Sequence, residues 1–134
     1  MAYKPNLPAS ARRHLEAADA LSEPKRHRGV AGYLYGIAAE CALKAMMQEA
    51  GLRPLGNDKR KNDPFYAHFP ELKTRLRDLQ LGRAAATLRR FIEDSRFMSQ
   101  WDTDMRYCKG DEIKHEWVER WRDQARDSVS AIGT

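Results

Sequence analysis

The chain has 134 residues, a length typical of one domain with a single hydrophobic core. Hydrophobic residues make up 42% of it and charged residues 32%, which excludes an intrinsically disordered chain. No apolar run reaches the roughly 20 residues that a membrane-spanning helix needs, so we predict no membrane partner. The formal net charge of +5 is consistent with an anionic partner such as RNA or a nucleotide, or with a merely solvated basic surface.

The two cysteines, Cys41 and Cys108, are too few for a disulfide-stabilised scaffold. The N-terminal residues contain no apolar export signal. Together these features predict a reduced, cytoplasmic protein. No zinc spacing, phosphate-binding loop or serine hydrolase motif is present, so we predict neither a metal nor a cofactor.

Apolar residues recur every three or four positions along the chain, which predicts an all-α domain. We expect a first helix over about 10–21 with Ser10 as its N-cap, and a second over about 25–50 that ends at Gly51. Three glycines in the second helix each cost about 1 kcal/mol of helix propensity, so we expect another backbone to pack closely there. They are Gly29, Gly32 and Gly36.

The second half of the chain predicts three further helices and two connections. Residues 52–67 are expected to form a long surface loop, and 99–110 a second irregular connection. Between them we expect a helix from about Pro70 and another over about 83–98. Their predicted inward residues are Leu72, Leu76, Leu79, Leu88, Phe91, Ile92 and Met98.

The last helix is expected to begin near Asp111, and Ile113, Trp117, Trp121 and Ala125 follow at a spacing of four. The whole pattern predicts an antiparallel bundle of four to five helices in a single domain, with its core over about 10–132.

Glu40 and Lys44 interrupt the apolar stretch GYLYGIAAECALKAMM, residues 32–47. Glutamate four residues before lysine is the favourable order for a helical ion pair. Because their neighbours are apolar we expect partial burial, and a half-buried carboxylate requires a cationic or hydrogen-bonding partner. Lys44 is one candidate and Arg106 is another. Glu40 then either links two helices or forms part of a ligand-binding or catalytic site.

Two further groups of residues carry candidate chemistry. Arg26 and Arg28 lie in a basic cluster at the start of the second helix, where they either bind an anion together with backbone N–H groups or are simply solvated. Arg106 and His115 lie before and within the last helix. An arginine and a histidine brought together can bind a phosphate and move a proton, which is metal-independent ribonuclease chemistry. Otherwise Arg106 pairs with an acid and His115 faces solvent.

Three short motifs occur in a fixed order: AAECALKAMM at 38–47, AHFPEL at 67–72, and MRY at 105–107 ahead of an amphipathic last helix. In this the chain resembles the HEPN (higher eukaryotes and prokaryotes nucleotide-binding) domain family. The matching positions are Glu40, Lys44, His68, Arg106 and Tyr107.

The resemblance implies an up-and-down helical bundle that forms a homodimer, here expected through the second and last helices. Many such domains are metal-independent ribonucleases of toxin–antitoxin or defence modules, with four to six residues between an arginine and a histidine. Eight residues separate Arg106 from His115 here. Other members pair with small nucleotidyltransferases. Three functions therefore stay open: binding of RNA, nucleotide or a nucleotidyltransferase partner; a metal-independent endoribonuclease using Arg106 and His115; and a non-catalytic protein-interaction module.

Overall fold

The computed structural model describes residues 3–134, and throughout that range the chain is helical or irregular, with no strand. It contains five α-helices: Leu7–Ser22 (α1), Arg28–Glu49 (α2), Glu71–Arg77 (α3), Ala86–Ile92 (α4) and His115–Ser130 (α5). The predicted all-α helical bundle is confirmed. Of the helices described, none combines the length and the apolar character needed to cross a membrane.

Helix α2 lies at the centre of the bundle, with α1 and α5 packed along it. Thirteen of its 22 residues are buried, which is why its sequence is apolar almost throughout instead of on one face. Helix α5 is amphipathic and buries Trp121 and Ala125 as predicted. The short segments α3 and α4 cover another part of the core with Leu72, Leu76, Leu88, Phe91 and Ile92.

The first two helices begin at residues other than those expected from the sequence. Helix α1 begins earlier than predicted, because the Asn6 side chain and not that of Ser10 caps it by accepting a hydrogen bond from the Ala9 N–H at 3.1 Å. Residues Lys25–His27 form a 3₁₀ turn, and the α-helix follows from Arg28. Gly51 ends α2 as predicted, with a positive φ of 90°.

The two middle helices are shorter than the sequence indicates. Helix α3 ends at Arg77, so Leu79 is exposed and not buried as predicted. Helix α4 ends at Ile92, and the chain then turns through positive φ values at Met98 (55°) and Gln100 (67°), which no continuous helix over 83–98 can contain. Met98 is nevertheless buried as predicted, because the turns carry it back to the core.

The connections contain more structure than the sequence suggests. The loop at 52–67 includes 3₁₀ turns at Asn57–Asn62 and Pro64–Tyr66. Residues Thr103–Tyr107 and Gly110–Glu112 form two more, so the last α-helix starts at His115 and not near Asp111.

Trp101 is a core residue that the sequence pattern missed. It is 1% exposed, and its indole Nε1 donates a hydrogen bond to the Gly32 carbonyl at 3.2 Å. A Cβ at Gly36 would overlap the indole ring, and a Cβ at Gly32 would lie 3.0 Å from Trp121. Aromatic rings, and not another backbone, therefore account for these two glycines. Only at Gly29 does the expected close approach of another backbone occur: there the Gly110 Cα lies 3.6 Å from the Cβ position.

Replacing Gly36 by alanine should lower the free energy of unfolding by about 3 kcal/mol, because the added methyl overlaps a buried, hydrogen-bonded indole. Gly82→Ala is the matched control, since no heavy atom lies within 4 Å of its Cβ position, and its effect should stay within about 0.5 kcal/mol. Urea unfolding monitored by tryptophan fluorescence measures both. Equal stability of the two variants would contradict the packing described.

Candidate functional site

Glu40 is buried, with 5% of its surface exposed, and both of its carboxylate oxygens are engaged. Oε2 accepts a hydrogen bond from the Lys44 Nζ at 2.9 Å, and Oε1 lies 2.8 Å from the His68 Nδ1. Lys44 is also buried, whereas 54% of the His68 side chain is exposed. The burial of the acid and its pairing with Lys44 agree with the sequence expectation. The cluster links α2 to the segment that precedes α3, with one edge in solvent.

The expected contact of Glu40 with Arg106 is wrong. The Arg106 Nε donates to the Thr103 carbonyl at 3.0 Å within its own turn, and its guanidinium lies 5.2 Å from the centre of the Tyr107 ring. Tyr107 is 80% exposed. His68 takes the place predicted for the arginine, because the turn before α3 and not the segment before α5 covers this part of α2.

Arg106 instead contributes to a basic groove at the N-terminal end of α2. The basic groove consists of two adjoining cavities, of about 610 Å³ and about 420 Å³, that share four lining residues. These are Arg26, Gly29, Gly110 and Ile113. Five permanently charged side chains line the groove: Lys25, Arg26, Arg28, Arg106 and Lys114. One carboxylate, Asp111, lines it as well. The groove is therefore strongly cationic.

Local structure explains how residues from distant parts of the chain meet at the basic groove. The 3₁₀ turn Lys25–His27 leads directly into α2, and His115 is the first residue of α5. The Ile113 side chain comes to 3.3 Å from the Cβ position of Gly29, so the two helix starts pack together. The positive ends of both helix dipoles add to the charge of the side chains.

Arg28 and His115 share two cavities, the larger part of the basic groove and a smaller polar cavity of about 170 Å³. The Arg28 Nε is buried and has no hydrogen-bond partner among the described residues. The His115 Nε2 lies 2.8 Å from the Glu119 carboxylate, one helical turn further along α5. Arg106 lines the other part of the groove, so no single cavity described here brings the predicted pair Arg106 and His115 together.

The smaller part of the basic groove also has an apolar wall. Val30 is 54% exposed, and Tyr33 stacks on Trp101 with ring centres 5.5 Å apart. Met105 and Ile113 complete this wall. None of these residues, nor Lys114, was predicted from the sequence as a site residue. The signal for this site in the sequence is the concentration of cations near the starts of the second and last helices.

Three other polar groups in the core serve packing. The Tyr35 hydroxyl donates to Asp19 at 2.7 Å, and burial together with this carboxylate raises the pKa of Tyr35 to about 12. Burial raises the pKa of the Cys41 thiol above its usual range, which makes it a poor nucleophile. Burial lowers the pKa of the Lys73 ammonium, which donates to the carbonyls of Asp94 and Phe97.

Glu40→Gln should destabilise the fold by about 3 kcal/mol, because it leaves the buried Lys44 ammonium without its carboxylate. Replacing the pair together, as Glu40→Leu with Lys44→Met, should recover much of that loss, since no buried charge remains. Glu71→Gln breaks the exposed pair with Arg75 and should change stability by no more than about 0.5 kcal/mol. Chemical unfolding of the variants tests this, and an effect of Glu40→Gln as small as that of Glu71→Gln would contradict it.

The sequence matches no family model, and comparison with the curated proteins and with the solved structures found no similar chain.

Proposed function

We propose that this protein binds RNA through the basic groove, as a HEPN-like helical bundle. The observation that carries the proposal is the convergence of five permanent cations from three chain segments on two adjoining cavities that hold a single carboxylate. Like charges repel one another, so such a concentration is favourable chiefly when a polyanion neutralises it.

The chemistry of the basic groove suits a nucleic acid better than a simple anion. Two cavities in series provide room for more than one phosphate. The apolar wall formed by Val30 and Tyr33 offers a surface for an unpaired base, which binds by stacking and apolar contact. The exposed ring of Tyr107 follows Arg106 directly and adds a second such surface. Cations beside apolar and aromatic surface are the usual composition of sites for single strands.

The position of Arg28 supports the same proposal. Its side chain lines both the basic groove and the smaller polar cavity. A guanidinium has the planar donor geometry that phosphates match. Arg28 can therefore donate to a phosphate in the groove as well as contribute charge.

The broader role follows from the HEPN-like assignment and is proposed with it. The protein acts as a homodimer within a toxin–antitoxin or defence module, with a small nucleotidyltransferase as a further partner. In the isolated chain the groove-lining Val30 and the neighbouring Tyr107 are exposed apolar residues, available both to RNA bases and to a second copy. The alternative is a protein-interaction module that does not bind RNA. The next experiment distinguishes these two functions.

Arg26→Gln together with Arg106→Gln should weaken binding of a fluorescein-labelled single-stranded RNA by about tenfold or more, because each arginine donates charged hydrogen bonds to phosphate. The slope of log K against log salt should become shallower by about 1.4, at about 0.7 for each lost phosphate contact. Fluorescence anisotropy over a salt series measures both quantities.

The control for this pair is Arg12→Gln with Arg13→Gln, which removes the same charge from two exposed arginines of α1. It should change the affinity only slightly and leave the salt slope nearly intact. If the two double variants behave alike, the charge acts without a specific site and the groove assignment fails. If the wild-type protein binds no RNA at low salt, the interaction module is favoured.

A metal-independent ribonuclease is the second candidate, and one observation favours it. The His115 imidazole is held by the Glu119 carboxylate and shares two cavities with Arg28. A carboxylate that orients an imidazole beside a phosphate-binding guanidinium is a workable general acid–base arrangement. Arg106, which lines the neighbouring cavity, then serves to bind the RNA strand and does not contact the scissile phosphate.

The nuclease candidate predicts RNA cleavage in the presence of EDTA. His115→Ala should lower kcat by about 100-fold or more through loss of proton transfer, and Arg28→Ala should also lower kcat. Arg106→Ala should raise KM and leave kcat nearly unchanged. Circular dichroism checks that each variant is folded. Absence of cleavage by the wild-type protein excludes this candidate without affecting the binding proposal.

A further inference from the structure

An apolar cavity of about 440 Å³ lies at the opposite end of α2 from the basic groove. It is formed by the C-terminal end of α2, the loop at 52–65 and the end of α3. Helix α2 has 22 residues, so the two sites are separated by roughly 33 Å. The apolar walls are Met47, Leu52, Leu55, Phe65 and Leu79. This volume and lining are typical of sites that bind another molecule.

Two large apolar residues are exposed at the rim of this cavity. Leu55 is 45% exposed and Leu79 is 41% exposed. The two come from separate segments, the loop at 52–65 and the end of α3, and meet at one opening. Exposed apolar residues are ordinary when they are scattered, but their convergence on a cavity marks a surface that is covered in a complex.

The cavity is held open by hydrogen bonds in the loop. Asp63 is 1% exposed, and its two carboxylate oxygens accept from the Leu55 N–H at 2.7 Å and the Phe65 N–H at 3.0 Å. At the start of the loop, the Leu52 N–H donates to the Met47 carbonyl at 3.0 Å, which fixes how the chain leaves α2. Closing the loop over the leucines would break these bonds and leave a carboxylate buried without partners, so the opening is a stable feature.

The charges around the cavity are asymmetric. Of the loop residues that line it, Arg53 is a cation, and the carboxylate of Asp63 is already engaged by backbone N–H groups. The Arg53 guanidinium donates to the Leu52 carbonyl at 3.1 Å, and within the described residues no carboxylate forms an ion pair with it. On the α3 side Arg75 is already paired with Glu71 at 2.7 Å, and Asp78 also lines the cavity. The loop side is therefore the positive edge.

We propose that this cavity docks a segment of a partner protein that inserts an apolar side chain and places an acidic residue beside it, at Arg53. The apolar walls receive the inserted side chain, and the unpaired Arg53 receives a carboxylate next to it. The site is independent of RNA binding, since it lies at the other end of α2.

Short fluorescein-labelled peptides test the proposal by fluorescence anisotropy. The probe has leucine or phenylalanine between glutamates, and the comparison peptides replace the glutamates by lysines or the central residue by serine. The acidic apolar probe should bind at least about tenfold more tightly than either comparison peptide, because each of these removes one of the two complementary interactions. Its affinity should also fall as salt is raised.

Two variants locate the binding. Leu79→Glu places a carboxylate at an exposed rim position, and Arg53→Glu reverses the unpaired cation; each should weaken binding by about tenfold or more. Arg83→Glu reverses an exposed arginine outside the cavity lining and should have little effect. The RNA-binding variant Arg26→Gln with Arg106→Gln should bind the peptide normally.

The proposal is overturned if the acidic apolar probe does not bind, or if it binds no better than the two comparison peptides. It is also overturned if Arg53→Glu binds as well as Arg83→Glu, or if the Arg26→Gln and Arg106→Gln variant loses the peptide, which would assign the binding to the basic groove. Leu79→Glu should stay folded and bind RNA normally. Loss of peptide binding in this variant is then distinguishable from a failure of the proposed RNA binding.

Discussion

The packing of Trp101 against α2 is the contact on which the arrangement of the candidate site depends. The indole fills the space that Gly36 leaves open and donates to the Gly32 carbonyl, so the segment between α4 and α5 is fixed to the central helix. Trp121 of α5 donates in turn to the Ser99 carbonyl at 2.9 Å. Because this segment leads to Arg106 and to the start of α5, the same contacts that complete the core bring its cations beside those of α2.

Helix α2 serves different purposes along its length. Its first turn contributes Arg28 to the basic groove, and its last turns provide Met47 to the apolar cavity. Between these ends Glu40 and Lys44 are satisfied by each other and by His68, and neither lines a cavity described here. The polar residues that stand out most in the sequence are therefore structural, and the two cavities lie at the ends of the helix. A buried pair of this kind contributes little net stability, but removal of one partner is strongly unfavourable.

The sequence predicted the features that depend on local periodicity and missed those that depend on tertiary contacts. The bundle, the extents of α2 and α5 within a few residues, and the burial of Glu40 all followed from the spacing of apolar residues. The partner of Glu40 did not follow, since His68 lies 28 residues away and is brought near by packing. Trp101 was assigned to an irregular connection because no periodic pattern surrounds it. In the candidate site, charge at a helix start identified Arg26 and Arg28, whereas their convergence with Lys114 requires the packing of α2 on α5.

The start of α2 is where local energetics and the overall structure disagree. Cations at a helix N-terminus oppose the dipole, the groove concentrates further cations around them, and the Arg28 Nε is buried without an acceptor among the described residues. Each of these three features destabilises the free protein. The cationic side chains of the groove do not belong to the hydrophobic core. A chain that can bury most of α2 tolerates such an arrangement because its stability comes from elsewhere in the bundle. Departures from local preference that packing does not explain tend to occur where proteins bind their ligands. A negatively charged ligand in the basic groove would relieve the first two of these departures, and this gives the groove a stronger claim to function than its net charge alone.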